Sequence, residues 1–373
     1  MTSLIYLDWN ATTPPLPEAI DAMAEVARVA WGNPASIHGS GRAARDVVET
    51  AREELARLVG ASARDVIFTS GGTEANNLAL RRAPALVTSA LEHPSVTRVA
   101  EALEAEGRPV RWLPVRESGW VEPEAVREAL AGLPTATVVA VAAVNHETGV
   151  VQPVPAIAEL VRAAGARLHV DAVQAVGKLP AEHWAGADTF AVAAHKLRGP
   201  KGIGALVHRP ERAPKPLLLG GSQERGRRAG TVDPVAAAGF RVAAAWAARS
   251  MPARTEIATL RDAFEAALVG RGARVNGEGA PRLGHVSNVS FPGVAGDELV
   301  AALDLLGVAV SSGSACSAGT TEPSKVIAAM VGVARAREAV RVSLGDTTTA
   351  EELARALSAL DRALGGPSAA NLR

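Results

Sequence analysis

The chain has 373 residues, of which 48% are apolar and 21% are charged, and its formal net charge is zero because 39 Lys and Arg balance 39 Asp and Glu. This composition excludes a disordered chain, and the absence of a basic excess argues against nucleic acid as the main partner. No apolar run reaches the roughly 18 residues of a membrane span, and residues 1–9 lack the regions of a signal peptide. We therefore expect a cytoplasmic protein that binds no membrane.

Cysteine and histidine usage limits the kinds of site that the chain can form. Cys316 is the single cysteine, which excludes a disulfide within the chain and argues against a cysteine-based zinc site. The sequence contains no His-x-x-x-His pair or cluster of His and Asp that would indicate a catalytic metal. We therefore expect no metal.

The predicted elements begin with an amphipathic helix over residues 42–59, followed by an alternation of strands and helices. Several of the strand-like stretches are continuous apolar runs, which are typical of strands that are covered on both faces of a mostly parallel sheet. Seven strands are predicted, at 66–70, 85–90, 109–115, 137–144, 167–173, 189–194 and 203–209. Helical patterns lie between many of them, at 74–82, 95–106, 122–131 and 155–164.

The composition changes after about residue 250, and a smaller α+β domain is predicted from there. Its helices are expected at 254–269, 297–306, 323–330 and 350–364, and its strands at 286–291, 308–311 and 340–343. The sequence thus predicts an α/β protein whose large domain spans residues 14–255 and contains the seven-stranded sheet. Residues 1–13 and 256–373 are assigned to the small domain.

Two ends of predicted strands carry residues that are typical of ligand sites. Gly71, Gly72 and Thr73 join a strand to a helix, a geometry that presents backbone N–H groups to an anion such as a phosphate; a tight turn capped by Thr73 is the alternative. Asp171 ends a buried strand at the sheet edge where α/β proteins bind ligands. Its carboxylate is expected either to pair with a cation, such as a protonated pyridine nitrogen, or to cap a helix.

Further candidates are a lysine, a cysteine and a cationic loop. Lys196 follows an apolar strand, and partial desolvation turns a lysine amine into a nucleophile for an aldehyde. Cys316 lies among Ser, Gly and Ala residues, which is typical of a reactive thiol rather than a structural cysteine in an apolar core. The segment 220–231 is rich in Gly and Arg, and it either binds an anion or forms a solvated surface loop.

Together these segments resemble the cysteine desulfurases, which belong to the class V aminotransferase branch of the fold-type-I enzymes that use pyridoxal 5′-phosphate (PLP). The resemblance covers almost the whole chain, from residues 6–14 to residues 342–345, and the motifs occur in the order of the family. The segment Ser311-Ser312-Gly313-Ser314-Ala315-Cys316 is highly specific, and it is similar to that of the group with a long, mobile cysteine loop. The other matching motifs include Gly32-Asn33-Pro34-Ala35-Ser36-Ile37-His38 and Gly41-Arg42-Ala43-Ala44-Arg45.

The resemblance implies a role for each candidate residue. It implies a homodimer in which each chain attaches PLP and donates sulfur to an acceptor protein, such as an iron–sulfur scaffold. For the PLP ring, the implied roles are covalent attachment by Lys196, pairing of the pyridine nitrogen with Asp171, a contact of Gln174 with the ring hydroxyl, and stacking and acid–base chemistry by His93. The phosphate is assigned to Gly72, Thr73 and His195, with Thr231 acting on the phosphate in the other subunit. Asn33 and Arg341 are assigned to the substrate carboxylate, and Cys316 is the implied sulfur acceptor.

Two positions depart from the family pattern. The family has a phosphate-binding serine two residues before its His-Lys pair, and Ala193 stands there, so one phosphate hydrogen bond is missing or supplied elsewhere. The family's Asn-Asn-Glu motif is Asn145-His146-Glu147 in this chain. Because the second Asn ordinarily contacts PLP, His146 is assigned to the cofactor site.

The sequence therefore predicts a PLP-dependent enzyme that converts L-cysteine to L-alanine and leaves a persulfide on Cys316. The sulfur would serve iron–sulfur cluster assembly, the synthesis of other thio-cofactors or the thiolation of tRNA. Two alternatives remain open at this point: a selenocysteine lyase, which would not need the thiol, and a non-catalytic sulfur-transfer scaffold. The presence of both Lys196 and Asp171 argues against the scaffold.

Overall fold

The computed structural model describes residues 4–250, 254–312 and 322–365. Residues 4–250 form helices and strands as the sequence predicts, and each of the seven predicted strands is present. The elements of this part are β1 (Ile5–Tyr6), α1 (Pro17–Val29), α2 (Gly39–Val59), β2 (Val66–Thr69), α3 (Gly72–Leu80), β3 (Leu86–Ser89), α4 (Pro94–Ala105), β4 (Val110–Leu113), α5 (Pro123–Leu130), β5 (Val138–Ala142), α6 (Val154–Ala163), β6 (Arg167–Asp171), β7 (Thr189–Ala193), β8 (Gly204–His208) and α7 (Pro234–Ser250).

The central sheet has seven strands in the order β2-β8-β7-β6-β5-β3-β4. All neighbouring strands are parallel except that β8 runs antiparallel to both β2 and β7. The predicted α/β class with a mostly parallel sheet is confirmed. Gly204 of β8 permits a close approach, because a Cβ atom there would lie 2.7 Å from the Cα of Gly71, in the turn after β2.

The rest of the chain forms two smaller sheets and five helices within the described ranges. Strand β1 pairs in parallel with β11, and β10 lies between β9 and β12 in an antiparallel sheet. These elements are α8 (Arg254–Val269), β9 (Arg274–Val275), β10 (Val286–Ser290), α9 (Gly296–Leu305), β11 (Val308–Ala309), α10 (Lys325–Val331), α11 (Val333–Arg337), β12 (Ala339–Ser343) and α12 (Ala350–Ala363).

Two large apolar clusters form the core. One fills the space around the central sheet and includes Ile327 and Met330 of α10. The other packs Ile5 and Leu7 at the start of the chain against residues of α8, α9, β12 and α12. The second cluster brings the first residues next to the last part of the chain, which accords with the proposed division into 14–255 and 1–13 with 256–373; the division itself stays a prediction.

Three helices were not predicted: α1, α7 and the five-residue α11. Helix α7 has buried residues at most of its positions from Pro234 to Ala247, and it packs against both α1 and α2. A helix that is buried on several sides has a weak apolar period, which is the main signal that a sequence offers for a helix. None of the helices in the described ranges has the length and apolar content that a membrane span requires.

Candidate active site

A cavity of about 780 Å³ opens at the sheet edge where β3, β5, β6 and β7 end. Most of the predicted site residues line it, although they come from turns that are far apart in the chain. Those residues are Gly72, Thr73, His93, His146, Asp171, Gln174, His195, Lys196 and Arg341. The predicted residues Asn33 and Thr231 do not line it, and Cys316 lies outside the described residues.

Asp171 is the last residue of β6, and its carboxylate is buried at 8% exposure. One oxygen accepts a hydrogen bond of 2.7 Å from Asn76 Nδ2, and the other accepts one of 3.0 Å from the backbone N–H of Val173. These two donors fix the orientation of the carboxylate at the cavity wall. Asn76 was not predicted from the sequence, since nothing in its local pattern distinguishes it from its neighbour Asn77.

His93 serves both as a cavity residue and as the N-cap of α4. Its Nδ1 accepts a hydrogen bond from Ser95 N–H at 3.1 Å and lies 2.7 Å from the Ser95 hydroxyl. The ring of His146 packs edge-on against the ring of His93, with centroids 5.3 Å apart. Burial lowers the pKa of both histidines, and for His146 the neighbouring His93 lowers it further. The two rings are therefore neutral at pH 7.

The turn that carries His146 is organised by Asn145. Its Oδ1 accepts hydrogen bonds from the N–H groups of Glu147 and Thr148, both at 2.9 Å, and its Nδ2 donates to the backbone oxygen of Leu91 at 2.8 Å. The last bond joins this turn to the one that carries His93. Asn145 thus links the two turns that carry the histidines.

Lys196 lies in a single 3₁₀ turn directly after β7, and its ammonium points at the start of the chain. The Nζ atom donates to the backbone oxygens of Asn10 and Ala11, the latter at 2.8 Å. Asn10 also accepts from Gln174 Nε2 at 3.0 Å through the same backbone oxygen, and its side chain donates to His146 O at 3.1 Å. Asn10 therefore connects three predicted site residues.

The sequence drew attention to Asn10 only as part of the matching segment 6–14. Its position in a loop near the start of the chain gives no chemical signal, because its partners are 136 to 333 residues away. His195 also contacts this loop, with Nδ1 3.2 Å from the Thr12 hydroxyl. Burial, followed by the charge of Lys196, lowers the pKa of His195 to about 4.

The turn between β2 and α3 leaves its backbone open to the cavity. Gly72 is the first residue of α3, and a Cβ atom there would lie 2.7 Å from Cγ2 of Val173. A larger residue would not fit, so the glycine keeps the amino end of the helix accessible. Ala193 also lines the cavity beside Gly72, at the position where the family has a serine.

Arg341 is 3% exposed on β12, and it is already paired with a carboxylate of the same chain. Its Nη2 donates to Asp8 Oδ1 at 2.7 Å, and its Nη1 donates to the backbone oxygen of His146 at 3.1 Å. Its Nε is buried with no hydrogen-bond partner among the described residues. The guanidinium is thus held by two contacts and keeps a donor for a further acceptor.

Two buried carboxyl groups at the cavity were not predicted. Burial, with a smaller contribution from the charge of Asp171, raises the pKa of Glu92 to about 8. Burial also raises the pKa of Glu147 to about 7, and Ser324 donates to its Oε2 at 2.6 Å. The signal that could have found Glu92 is its place beside His93 at a strand end.

The cationic segment 220–231 is tied to the central sheet and to α3. Glu224 is buried and accepts from both terminal nitrogens of Arg52 at 2.7 Å and from Phe68 N–H at 2.7 Å. Arg228 donates to Glu74 at 2.8 Å. The segment is therefore anchored rather than freely solvated, and Thr231 at its end is exposed.

Comparison with known proteins places this geometry in a family. Residues 5–356 match the model of the aminotransferase class-V family. A cysteine desulfurase of Cereibacter sphaeroides is 42% identical over 369 residues, which cover 95% of this chain and 94% of that protein. The chain belongs to the cysteine desulfurases of the aminotransferase class-V family. The family predicted from the sequence is thus confirmed.

Two further relatives agree with this assignment. The cysteine desulfurase IscS of Dictyoglomus turgidum is 38% identical to this chain, and the match covers 96% of this chain and 94% of that protein. The X-ray structure of the NifS-like protein from Rickettsia africae matches with a TM-score of 0.88 at 28% identity, over 97% of this chain and 99% of that one. The predicted fold type is confirmed as well.

Proposed function

We propose that the enzyme binds PLP in this cavity and uses it to convert L-cysteine to L-alanine, with the sulfur transferred to Cys316. The observation that carries the proposal is that Lys196, Asp171 and the amino end of α3 line one cavity. A cytoplasmic homodimer that delivers sulfur to an acceptor protein, such as an iron–sulfur scaffold, completes the proposal. Neither nucleic acid nor a membrane is a direct partner.

The residues present fit the cofactor. The bare Gly72 leaves backbone N–H groups of α3 open to a phosphate, and Thr73 and His195 stand beside it as further donors. The buried Asp171 carboxylate suits a protonated pyridine nitrogen, and the amine of Lys196 suits an aldehyde. The cavity volume is within the range of pockets that enclose a small ligand.

When bound, PLP supplies an electron sink that stabilises negative charge at the substrate carbon next to the amino group. With PLP bound, Asp171 would keep the ring in its electron-withdrawing form, His93 would stack on the ring, and Gln174 and His146 would contact it. The amine of Lys196 would carry the proton that is moved, at its Nζ atom. Its two acceptors on Asn10 and Ala11 hold that amine at the cavity wall.

The substrate carboxylate is assigned to Arg341. Its buried Nε keeps a hydrogen to donate, and Asp8 and His146 fix the plane of its guanidinium. A planar guanidinium held in this way suits a carboxylate better than a lysine would. Asn33, the second predicted ligand of the carboxylate, is exposed and outside this cavity, so we assign its contact to the site of the second subunit.

Sulfur transfer is assigned to Cys316. Its thiolate attacks the sulfur of the bound cysteine, so that an S–S bond forms and the C–S bond of the substrate breaks. The carbon skeleton keeps the electron pair of the broken bond, takes up a proton and leaves as alanine. The thiolate is the reactive form of a cysteine, and an unperturbed thiol is only a few per cent ionised at pH 7.

The test uses the purified enzyme reconstituted with PLP and measures alanine and protein-bound persulfide from L-cysteine. Lys196→Ala is expected to lose the absorbance of lysine-bound PLP and all turnover, whereas the control Lys201→Ala, at an exposed site, keeps both. Cys316→Ala is expected to keep the PLP absorbance and to form no persulfide. PLP attached to a lysine other than Lys196 would contradict the assignment.

The same assay separates the two alternatives. A selenocysteine lyase would release selenium from selenocysteine in the Cys316→Ala variant and would release no sulfur from L-cysteine in the unmodified enzyme. A non-catalytic scaffold would bind no PLP and produce no alanine. Alanine and persulfide in equal amounts in a single turnover would exclude both.

A further inference from the structure

Asn76 lies on α3 at 1% exposure, and its side-chain amide uses both of its N–H bonds. Nδ2 donates to Asp171 Oδ2 at 2.7 Å and to Ser95 Oγ at 2.8 Å. Asp171 ends β6, whereas Ser95 lies 76 residues earlier in the first turn of α4, so the amide bridges two elements at the cavity. On one side Asn76 contacts Asp171, the proposed partner of the pyridine nitrogen. On the other side it contacts Ser95, which in turn contacts His93.

The orientation of this amide follows from its contact with Asp171, and the contact with His169 agrees with it. The carboxylate of Asp171 can only accept, so the nitrogen of the amide must face it and Oδ1 of Asn76 must face His169 Nε2, 2.9 Å away. His169 Nε2 therefore carries a hydrogen. Its Nδ1 then accepts from the Thr189 hydroxyl at 2.9 Å. His169 is fully buried, and burial lowers its pKa to about 4, so the ring is neutral at pH 7.

The direction of the next bond follows from the same reasoning. Because Ser95 Oγ accepts from Asn76, its own hydrogen is free to donate to His93 Nδ1, which is 2.7 Å away. The N–H group of Ser95 points to the same nitrogen. His93 Nδ1 is thus an acceptor, and the hydrogen of the neutral ring lies on Nε2.

We propose that Asn76 is a positioning residue that sets the orientation of both Asp171 and His93 through one amide. His169 contacts the oxygen of that amide. The inference rests on the proposed function in one respect only: it takes Asp171 and His93 to act on the PLP ring. Because Asn76 links Asp171 and His93, these two residues share one support. A shift of α3 would therefore move both groups together.

The first test measures PLP binding to the apoenzyme and the free energy of unfolding for Asn76→Ala. The matched control is Asn77→Ala. The side chain of Asn77 is partly exposed, and among the described residues it donates to the backbone oxygen of Thr73 alone. The loss of a hydrogen bond to a charged group predicts PLP binding that is about 10- to 100-fold weaker for Asn76→Ala. For Asn77→Ala, the dissociation constant is expected to stay within about twofold, since no bond to a charged group is lost.

The second test reads the tautomers directly, by ¹⁵N NMR of the histidine rings in the apoenzyme. The unmodified enzyme is expected to show hydrogen on Nε2 of both His93 and His169. Ser95→Ala is expected to move the Nδ1 signal of His93 and to leave that of His169 in place, whereas Asn76→Ala moves both. This measurement needs no PLP, so it separates the inference from the proposed function.

Three results would overturn the inference. One is hydrogen on Nδ1 of His93 or His169 in the unmodified enzyme. Another is PLP affinity and His93 signals that are unchanged in Asn76→Ala while only its stability falls, because a merely structural residue behaves in that way. If Asn76→Ala does not fold, Ser95→Ala still decides, since an unmoved His93 signal in that variant contradicts the network.

Discussion

At the scale of single residues, burial sets the protonation state of the groups around the cavity. Desolvation lowers the pKa of His169 and His195 to about 4 and raises that of Glu92 to about 8. Burial disfavours the charged form of any group, so the histidines and the carboxylic acid are all neutral at pH 7. At pH 7, His169, His195 and Glu92 therefore add no charge to the site.

Glu92 gives a prediction about pH and stability. Its pKa of about 8 in the folded protein exceeds the ordinary value of 4.5, so the folded state holds one more proton between these two pH values. The stabilising contribution is fully present below pH 4.5 and is lost as the pH rises to about 8. Its slope is about 1.4 kcal/mol per pH unit, and Glu92→Gln is expected to lack it.

Urea unfolding of the apoenzyme between about pH 5 and pH 8 checks this prediction. The unfolding free energy of the unmodified enzyme is expected to fall more steeply with pH than that of Glu92→Gln. Glu104→Gln, at an exposed position of the same helical region, is the control and is expected to follow the unmodified enzyme. Parallel curves for the unmodified enzyme and Glu92→Gln would show that Glu92 is ionised in the folded protein.

At the scale of elements, three helices begin at the wall of the cavity. Helix α3 begins at Gly72, α4 is capped by His93, and α10 is capped by Ser324, whose hydroxyl accepts from Ile327 N–H at 3.0 Å. All three residues line the cavity. His93 and Ser324 thus satisfy free N–H groups of a helix end and also form the site, so helix stability and site geometry are coupled there.

Ser324 gives a prediction at this scale. Its hydroxyl both caps α10 and donates to the buried Glu147, so Ser324→Ala removes two interactions at once. A lost cap and a buried carboxyl without its donor predict a loss of about 2 kcal/mol in unfolding free energy. Ser324→Thr keeps the hydroxyl and is expected to retain most of the stability.

Chemical unfolding of the three proteins checks the value. Ser358→Ala on α12 is the matched control, because its exposed hydroxyl donates only to the backbone oxygen of Ala354. Its cost is expected to stay below about 0.5 kcal/mol. An equal effect of the substitutions at 324 and 358 would mean that the Ser324 cap and its bond to Glu147 contribute nothing.

At the scale of the whole molecule, exposed residues outside the cavity favour an interface with a second copy of the chain. Thr231 and Asn33 carry predicted roles but are exposed. Large apolar side chains close to them in sequence are exposed as well, with Trp31 at 71%, Ile37 at 86% and Leu219 at 79%. Exposed apolar residues next to functional residues are typical of an interface between subunits.

A mixed dimer tests whether Thr231 acts on the opposite subunit. Combining a Thr231→Ala chain with a Lys196→Ala chain would give one site with both substitutions and one site with neither. The mixed dimer is then expected to have about half the activity of the unmodified dimer. At limiting PLP, the Thr231→Ala homodimer is expected to bind PLP about tenfold more weakly, since one hydrogen bond to the phosphate is lost.

Differently tagged chains, purified as the mixed dimer, provide the measurement. Unexchanged homodimers in the same ratio serve as the control. If Thr231 acted within its own chain, neither site of the mixed dimer would be intact, and its activity would not exceed half that of the Thr231→Ala homodimer. An active monomer in sedimentation would also contradict the arrangement.

Local sequence patterns were enough to predict the seven strands, the α/β class and the site candidates Asp171 and Lys196, whereas the family and most other site residues came from the resemblance. Each of the local predictions depends on neighbouring residues: apolar runs bounded by turns, or a reactive residue such as Lys196 directly after a strand. Such signals can be read from the sequence because a functional residue at a strand end directly follows the strand in the chain. The helices α1, α7 and α11 were not predicted, α7 because burial on several sides weakens its apolar period.

The residues that support those strand ends became visible only in the folded chain. Asn76 contacts Asp171 across 95 residues, Asn10 accepts from Lys196 across 186, and Asp8 pairs with Arg341 across 333. A hydrogen bond between distant residues leaves no periodic trace in a single sequence, and the pKa of Glu92 depends on a burial that exists only after folding. The physical reason is the same in each case: partner geometry and desolvation are properties of the packed chain, not of its local patterns.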